Sequence, residues 1–245
     1  MSAYGRFSEV YDRLLYDAPA QDWLSYMEGL LGLEGPARIL EYACGSGRLT
    51  APLAARGHEV IGVDRSRGML MKAQEKVQGL RNCRLVEADM TAFSLDHPAD
   101  AAICALDGVN YLTSPALLRA FFVCAAANLK EGAPFVFDVS SAWKVEHVLA
   151  EEFFYDDGEE ETLFWTNSYD RDSRLLEMSL TVFARREEGY ERFDETHLIR
   201  AWETEELETA LRAAGFSKPD IFAFGTRQAP EAGTERIVLR TRKGD

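Results

Sequence analysis

Residues 37–49, ARILEYACGSGRL, place an acid at Glu41 four positions before the first of two closely spaced glycines, Gly45 and Gly47. The apolar run from Arg38 to Ala43 predicts a strand, the glycines a tight turn, and a helix is expected to start near Arg48. A second apolar run, VIGVD, ends at Asp64. Strand, glycine turn, helix and an acid closing the next strand make a nucleotide-binding half-fold. Glycine tolerates unusual φ and lets the backbone approach a ligand closely. A carboxylate such as Asp64 can accept hydrogen bonds from two ribose hydroxyls.

The residue types also select among nucleotides. A dinucleotide fingerprint requires a third glycine for pyrophosphate approach and helix packing, and that position is Thr50. Glu41 is poor company for a pyrophosphate and good company for a cation. S-adenosylmethionine carries a sulfonium and an ammonium and no phosphate, so the electrostatics favour it.

The motif E-Y-A-C-G-S-G resembles the first motif of class I S-adenosylmethionine-dependent methyltransferases, with Ala43 where the widest consensus has glycine. V-I-G-V-D64 resembles the second, E-A-D89-M the third, and A-L-D-G-V-N-Y-L at 105–112 the segment after the fourth strand. The match spans roughly residues 37–140 in correct order. The chain is also similar to small bacterial methyltransferases that begin with a segment like Tyr11–Trp23 and carry an F-D-E-T-H segment, Phe193–His197 here. The resemblance implies that Glu41 engages the methionyl ammonium, Asp64 the ribose, and Asp89 with the backbone near Met90 the adenine. It places Leu106, Asp107 and Asn110 near the sulfonium, with Leu106 contributing a carbonyl. Asn110 and Tyr111 are expected at the substrate entrance. Tyr11 and Trp23 are expected to help cover the cofactor. Ala43, Gly45, Gly47, Arg65 and Met69 complete the implied cofactor set, and no metal is implied.

The elements around these residues follow from patterning. Strands are expected at about 37–43, 59–64, 83–89, 101–107 and 133–139, with helices at about 48–57, 66–79 and 114–130. Strands apolar throughout, alternating with helices, predict an α/β, doubly wound, mostly parallel sheet. Before it, residues 4–33 read as one or two amphipathic helices, with Leu15 among the apolar positions and Pro19 between the helices. From 152 to 200 polar and apolar residues alternate, which predicts three or four antiparallel strands. A helix at 204–214, stopped by Gly215, and strands at 219–224 and 235–242 close the fold, the last pair as an antiparallel hairpin. The expected organisation is N-terminal helices over 1–36, a cofactor domain of 37–143 and 201–245, and an inserted β lid at 144–200.

Composition bounds the function. The net charge of −14 argues against broad nucleic-acid binding. Arg65, Arg67, Lys72 and Lys76 are the best candidate basic patch, but they read first as a solvated helix face. No apolar run spans a membrane, and the N-terminus shows no secretion signal. The four cysteines form no C-x-x-C pair and read as reduced thiols of a cytoplasmic protein. Seven carboxylates between Glu151 and Glu161 read as a solvated loop or an attractor of cations. Among four histidines, only His197 sits in the inserted sheet, with His147 expected on a short helix after the fifth strand. Alternation puts Phe193, Glu195, His197 and Ile199 on one strand face, expected to look into the cavity. A neutral His197 could take a proton from an amine or hydroxyl. The expectation is methyl transfer from S-adenosylmethionine to a small-molecule acceptor, leaving S-adenosylhomocysteine. A non-catalytic S-adenosylmethionine-binding regulator and a protein or RNA methyltransferase stay open as alternatives.

Overall fold

The computed structural model describes residues 4–14, 20–150 and 152–244; Leu15, Pro19 and Glu151, singled out above, lie outside them. Five strands enter one sheet in parallel: β1 (Arg38–Tyr42), β2 (Glu59–Asp64), β3 (Cys83–Glu87), β4 (Ala101–Cys104) and β5 (Pro134–Ser140). Two more, β10 (Asp220–Ala223) and β11 (Arg236–Arg242), complete it in the order β10-β11-β5-β4-β1-β2-β3. Strand β11 runs antiparallel to both of its neighbours. Strand β5, PFVFDVS, is buried at every position. Continuous apolar sequence is what a strand covered on both faces requires.

Helices α3 (Thr50–Ala55), α4 (Arg67–Lys76), α5 (Pro115–Ala127) and α7 (Thr204–Ala213) connect or flank these strands. One core cluster joins Tyr42, Phe121, Phe122, Phe135 and Phe137 to Leu207 and Leu211 of α7. The cluster on the opposite face joins Ile39, Val60 and Val136 to Trp23, Leu24 and Met27 of α2 (Ala20–Leu31). Serines cap α4 and α5: Ser66 Oγ accepts from Met69 N, and Ser114 Oγ from Leu117 N. Each such cap contributes roughly 1 kcal/mol.

After β5, α6 (Ala142–Lys144) and a π turn at Val145–Leu149 lead into a second sheet. It is antiparallel, in the order β6 (Phe153–Asp157), β7 (Glu161–Asp170), β8 (Leu175–Arg186), β9 (Gly189–Arg200). The alternating segment therefore forms four strands. Phe7 and Val10 pack on its inner face against Leu163, Leu180, Val182 and Phe193. Among the described residues the N-terminal segment forms a 3-10 turn at Phe7–Glu9, α1 (Tyr11–Leu14) and α2.

The fourth strand ends earlier than its apolar run suggests. Leu106 and Asp107 have φ of +59° and +67°, a left-handed conformation that no strand continues through. Two residues of the candidate basic patch are paired: Lys76 binds Asp12 and the Ser46 carbonyl, and Lys72 pairs with Glu75.

Candidate active site

A cavity open to solvent lies at the carboxyl ends of β1, β2 and β4. In open α/β sheets this edge is where ligands bind. Gly45, at φ +54°, starts the turn after β1, and its N–H donates to Asp64 Oδ2 at 2.8 Å. The other Asp64 oxygen accepts from Ser66 N at 2.8 Å. The acid thus holds both the glycine loop and the start of α4, and each oxygen keeps acceptor capacity toward the cavity. Burial pushes its carboxyl above the usual range, against the pull of the Ser66 and Gly45 amides.

Glu41 is buried at the cavity floor and accepts from Thr50 Oγ1. Burial pushes its carboxyl up to about 8, with Thr50 opposing and Asp64 adding to the rise. Asp89 sits across the cavity, where Oδ1 accepts from the backbone and hydroxyl of Thr91. Of the expected cofactor set, Tyr11, Glu41, Ala43, Gly45, Asp64, Arg65, Met69, Asp89, Met90 and Leu106 line the cavity. Tyr111, expected at the substrate entrance, lines it too.

Four expected residues stand elsewhere. Gly47, at φ +76°, lies against α4, where an added Cβ would meet the Ala73 Cβ at 3.0 Å; it serves the turn and helix packing. Trp23 is turned into the core, its ring 4.1 Å from Phe224 and the Arg236 guanidinium 5.1 Å over it. Asp107 faces away, forked by Arg236 at 2.8 and 2.9 Å. Asn110 is fully buried: Nδ2 donates to the Ser140 and Arg200 carbonyls, and Oδ1 accepts from Ser140 N. Its amide group is consumed in joining β5 to β9.

His197 obeys the alternation and points inward, beside buried Phe193 and Ile199. It stops one side chain short of the cavity. Its Nδ1 lies 2.9 Å from the Tyr111 hydroxyl, which lies 2.7 Å from the Tyr4 hydroxyl. Nε2 is 3.1 Å from Glu195 Oε1, within ion-pair range but without hydrogen-bond alignment. Glu195 also accepts from the backbone of Tyr4 and Phe7. Burial works against its charge, but His197 and these amides hold it below the usual carboxylate range. Burial pushes the Tyr4 and Tyr111 phenols up, so both stay neutral. Cys44, also on the wall, is a buried thiol pushed up by desolvation and unsuited to nucleophilic work.

Sequence reasoning missed Tyr4, Ser46, Arg48 and Thr91 on the cavity wall. Tyr4 stands seven positions before Tyr11, a helical same-face spacing that offered one signal. Glu41, Asp64 and Asp89 among apolar Val63, Met69, Met90 and Leu112 form an acceptor set suited to a cationic nucleoside. Among the described residues no cluster suits a metal ion.

Comparison with known proteins agrees with this geometry. Residues 39–132 match the methyltransferase domain family. The chain is 33% identical over 241 residues to YqeM of Bacillus subtilis strain 168, a candidate methyltransferase, covering 98% of this chain and 97% of that one. It is 30% identical to a crystallised S-adenosylmethionine-dependent methyltransferase from Clostridium acetobutylicum ATCC 824, with a TM-score of 0.88 and 100% of both chains covered. It shares the fold of CalS10, an amino pentose methyltransferase from Micromonospora echinaspora, at 22% identity, a TM-score of 0.75 and 99% coverage of each chain. The chain therefore belongs to the S-adenosylmethionine-dependent methyltransferases.

Proposed function

We propose that this methyltransferase acts on a small molecule whose amine or hydroxyl enters the cavity beneath the β6–β9 sheet. The observation that carries the reading is the hydrogen-bonded chain Tyr4–Tyr111–His197, which begins on the cavity wall. Asp64 would hold the ribose, Asp89 the adenine edge and Glu41 the ammonium. Bound there, S-adenosylmethionine supplies an activated methyl group. The nucleophile's proton passes to the Tyr111 oxygen while the Tyr111 proton moves to His197 Nδ1. Tyr111 ends neutral, and Glu195 stabilises the imidazolium. In this reading the wall phenol, not His197, touches the acceptor. The structural neighbour that acts on an amino pentose supports the small-molecule class.

Residues 1–36 and 144–200 act as covers over the cofactor domain of 37–143 and 201–245. Packing of Phe7 and Val10 beneath the antiparallel sheet supports this. No helix among the described residues is long and apolar enough to cross a membrane. The four unpaired thiols support a reducing compartment, the cytoplasm.

S-adenosylhomocysteine release against a panel of small amines and hydroxyl compounds tests the reading. Turnover of at least one panel member, lost in Tyr111→Phe, is expected. Methylation of RNA or protein alone would overturn it.

A further inference from the structure

Behind the cavity wall at Leu106, three charged side chains form a closed cluster. Asp138 of β5 is fully buried, and its Oδ1 accepts from Leu106 N at 2.7 Å. Its Oδ2 accepts from Asp107 N at 3.3 Å and binds Arg236 of β11. Arg236 also forks Asp107, whose Oδ1 accepts from Ser140 N at 2.9 Å and Ser140 Oγ at 2.8 Å. These bonds hold two consecutive non-glycine residues at positive φ, a conformation that persists only when its surroundings impose it.

Two features of the cluster bear on the cavity wall at Leu106. Both amides of the turn are tied back to Asp138, and the Asp107 carbonyl accepts from Asn110 N. Among the described residues no hydrogen bond reaches the Leu106 carbonyl, on a residue that lines the cavity. The charges do not cancel: two carboxylates share one guanidinium. The next cation, Lys144, is paired with Glu235 at 3.4 Å. Burial raises Asp138, with Arg236 opposing; Asp107, whose side chain is partly exposed, is carried below its ordinary value by Arg236 against its own desolvation.

We propose that the Asp107–Arg236–Asp138 cluster sets a negative potential at the Leu106 wall, favouring the cationic methyl donor over its neutral thioether product. The inference rests on the assignment of this cavity to the cofactor. S-adenosylmethionine and S-adenosylhomocysteine differ by one methyl group and one positive charge. An excess negative charge largely shielded from solvent therefore discriminates between them, whereas adenine and ribose contacts do not. Asp107 and Asp138 act as specificity-determining residues through space, and Arg236 is a positioning residue that keeps the cluster closed.

Calorimetry on the full chain, with each nucleoside as a separate probe, tests this. Wild-type protein that binds neither would overturn the cavity assignment itself, without any variant. Asp107→Asn and Asp138→Asn each neutralise the cluster. Each should lower the ratio of S-adenosylmethionine to S-adenosylhomocysteine affinity by about tenfold. Arg236→Lys keeps the excess charge and should keep the ratio, even where its melting temperature falls. Melting curves show which asparagine variant is folded, and either alone decides. Equal losses for both nucleosides, or an unchanged ratio, overturn the proposal.

Discussion

The Gly45 amide and the Asp64 carboxylate, 2.8 Å apart, join the loop after β1 to the end of β2. The acid expected to receive ribose hydroxyls is thus also the brace of the glycine turn. Both roles fit one side chain because each carboxylate oxygen offers two acceptor sites.

Asp64→Ala should weaken S-adenosylhomocysteine binding by ten- to hundredfold, from the loss of about 1.5–3 kcal/mol of charged hydrogen bonding. The Gly45 and Ser66 amides lose their acceptor as well, so the melting temperature should fall. Asp64→Asn, which keeps one carbonyl oxygen, should recover part of both. Calorimetry beside a melting curve checks the pair; an unchanged dissociation constant would leave Asp64 as a brace only.

Glu41, raised to about 8 by burial, is protonated in the unliganded protein at neutral pH. Its carboxylate form is needed to hold an ammonium. Affinity should therefore climb as pH rises toward 8, then fall as the ligand's own amine, near 7.7–8.0 in its ordinary state, loses its proton. Glu41→Gln should abolish the acid limb of that profile. The stability sign is the reverse. A raised folded-state value stabilises fully below the ordinary 4.5 and is lost as pH rises through about 8. Unliganded protein should thus weaken across that window, and Glu41→Gln should flatten the slope, as denaturant melts at several pH values would show.

His197→Gln and Tyr111→Phe should each lower turnover of an accepted substrate by roughly 10²–10⁴ while S-adenosylhomocysteine still binds. Because the proton passes through both groups, the double variant should lose little more than either single one. Additive losses would separate the two residues and break the relay.

Gly47→Ala should destabilise the fold by about 2–3 kcal/mol. The new Cβ would stand 3.0 Å from the Ala73 Cβ, at a φ of +76°. Cofactor affinity, measured on the fraction that folds, should change little, because Gly47 packs on α4 and does not line the cavity.

Strands β1, β2 and β5 were legible because two-sided burial demands continuous apolar sequence, and Glu41, Gly45, Asp64 and Asp89 because they sit at strand ends where ligands gather. The inserted sheet was legible from its alternation, which also oriented His197 inward. Asp107 and Trp23 were not. Their directions are decided by Arg236, a partner 129 positions beyond Asp107 and invisible to local pattern. Asn110 was misassigned for a related reason. Nothing near it in sequence reveals that the Arg200 carbonyl, 90 positions away, claims its amide.

The antiparallel strand β11 lies between β5 and the edge strand β10, inside the sheet although last in sequence. A ribosome makes Asp107 and Asp138 long before it makes Arg236, 98 positions after the second of them. Until β11 inserts, both carboxylates lack their counterion, and burying them unpaired costs several kcal/mol. The Leu106 turn therefore lacks part of its bracing until β11 is made. A nascent chain halted before residue 236 would keep the glycine loop but not the Leu106 turn.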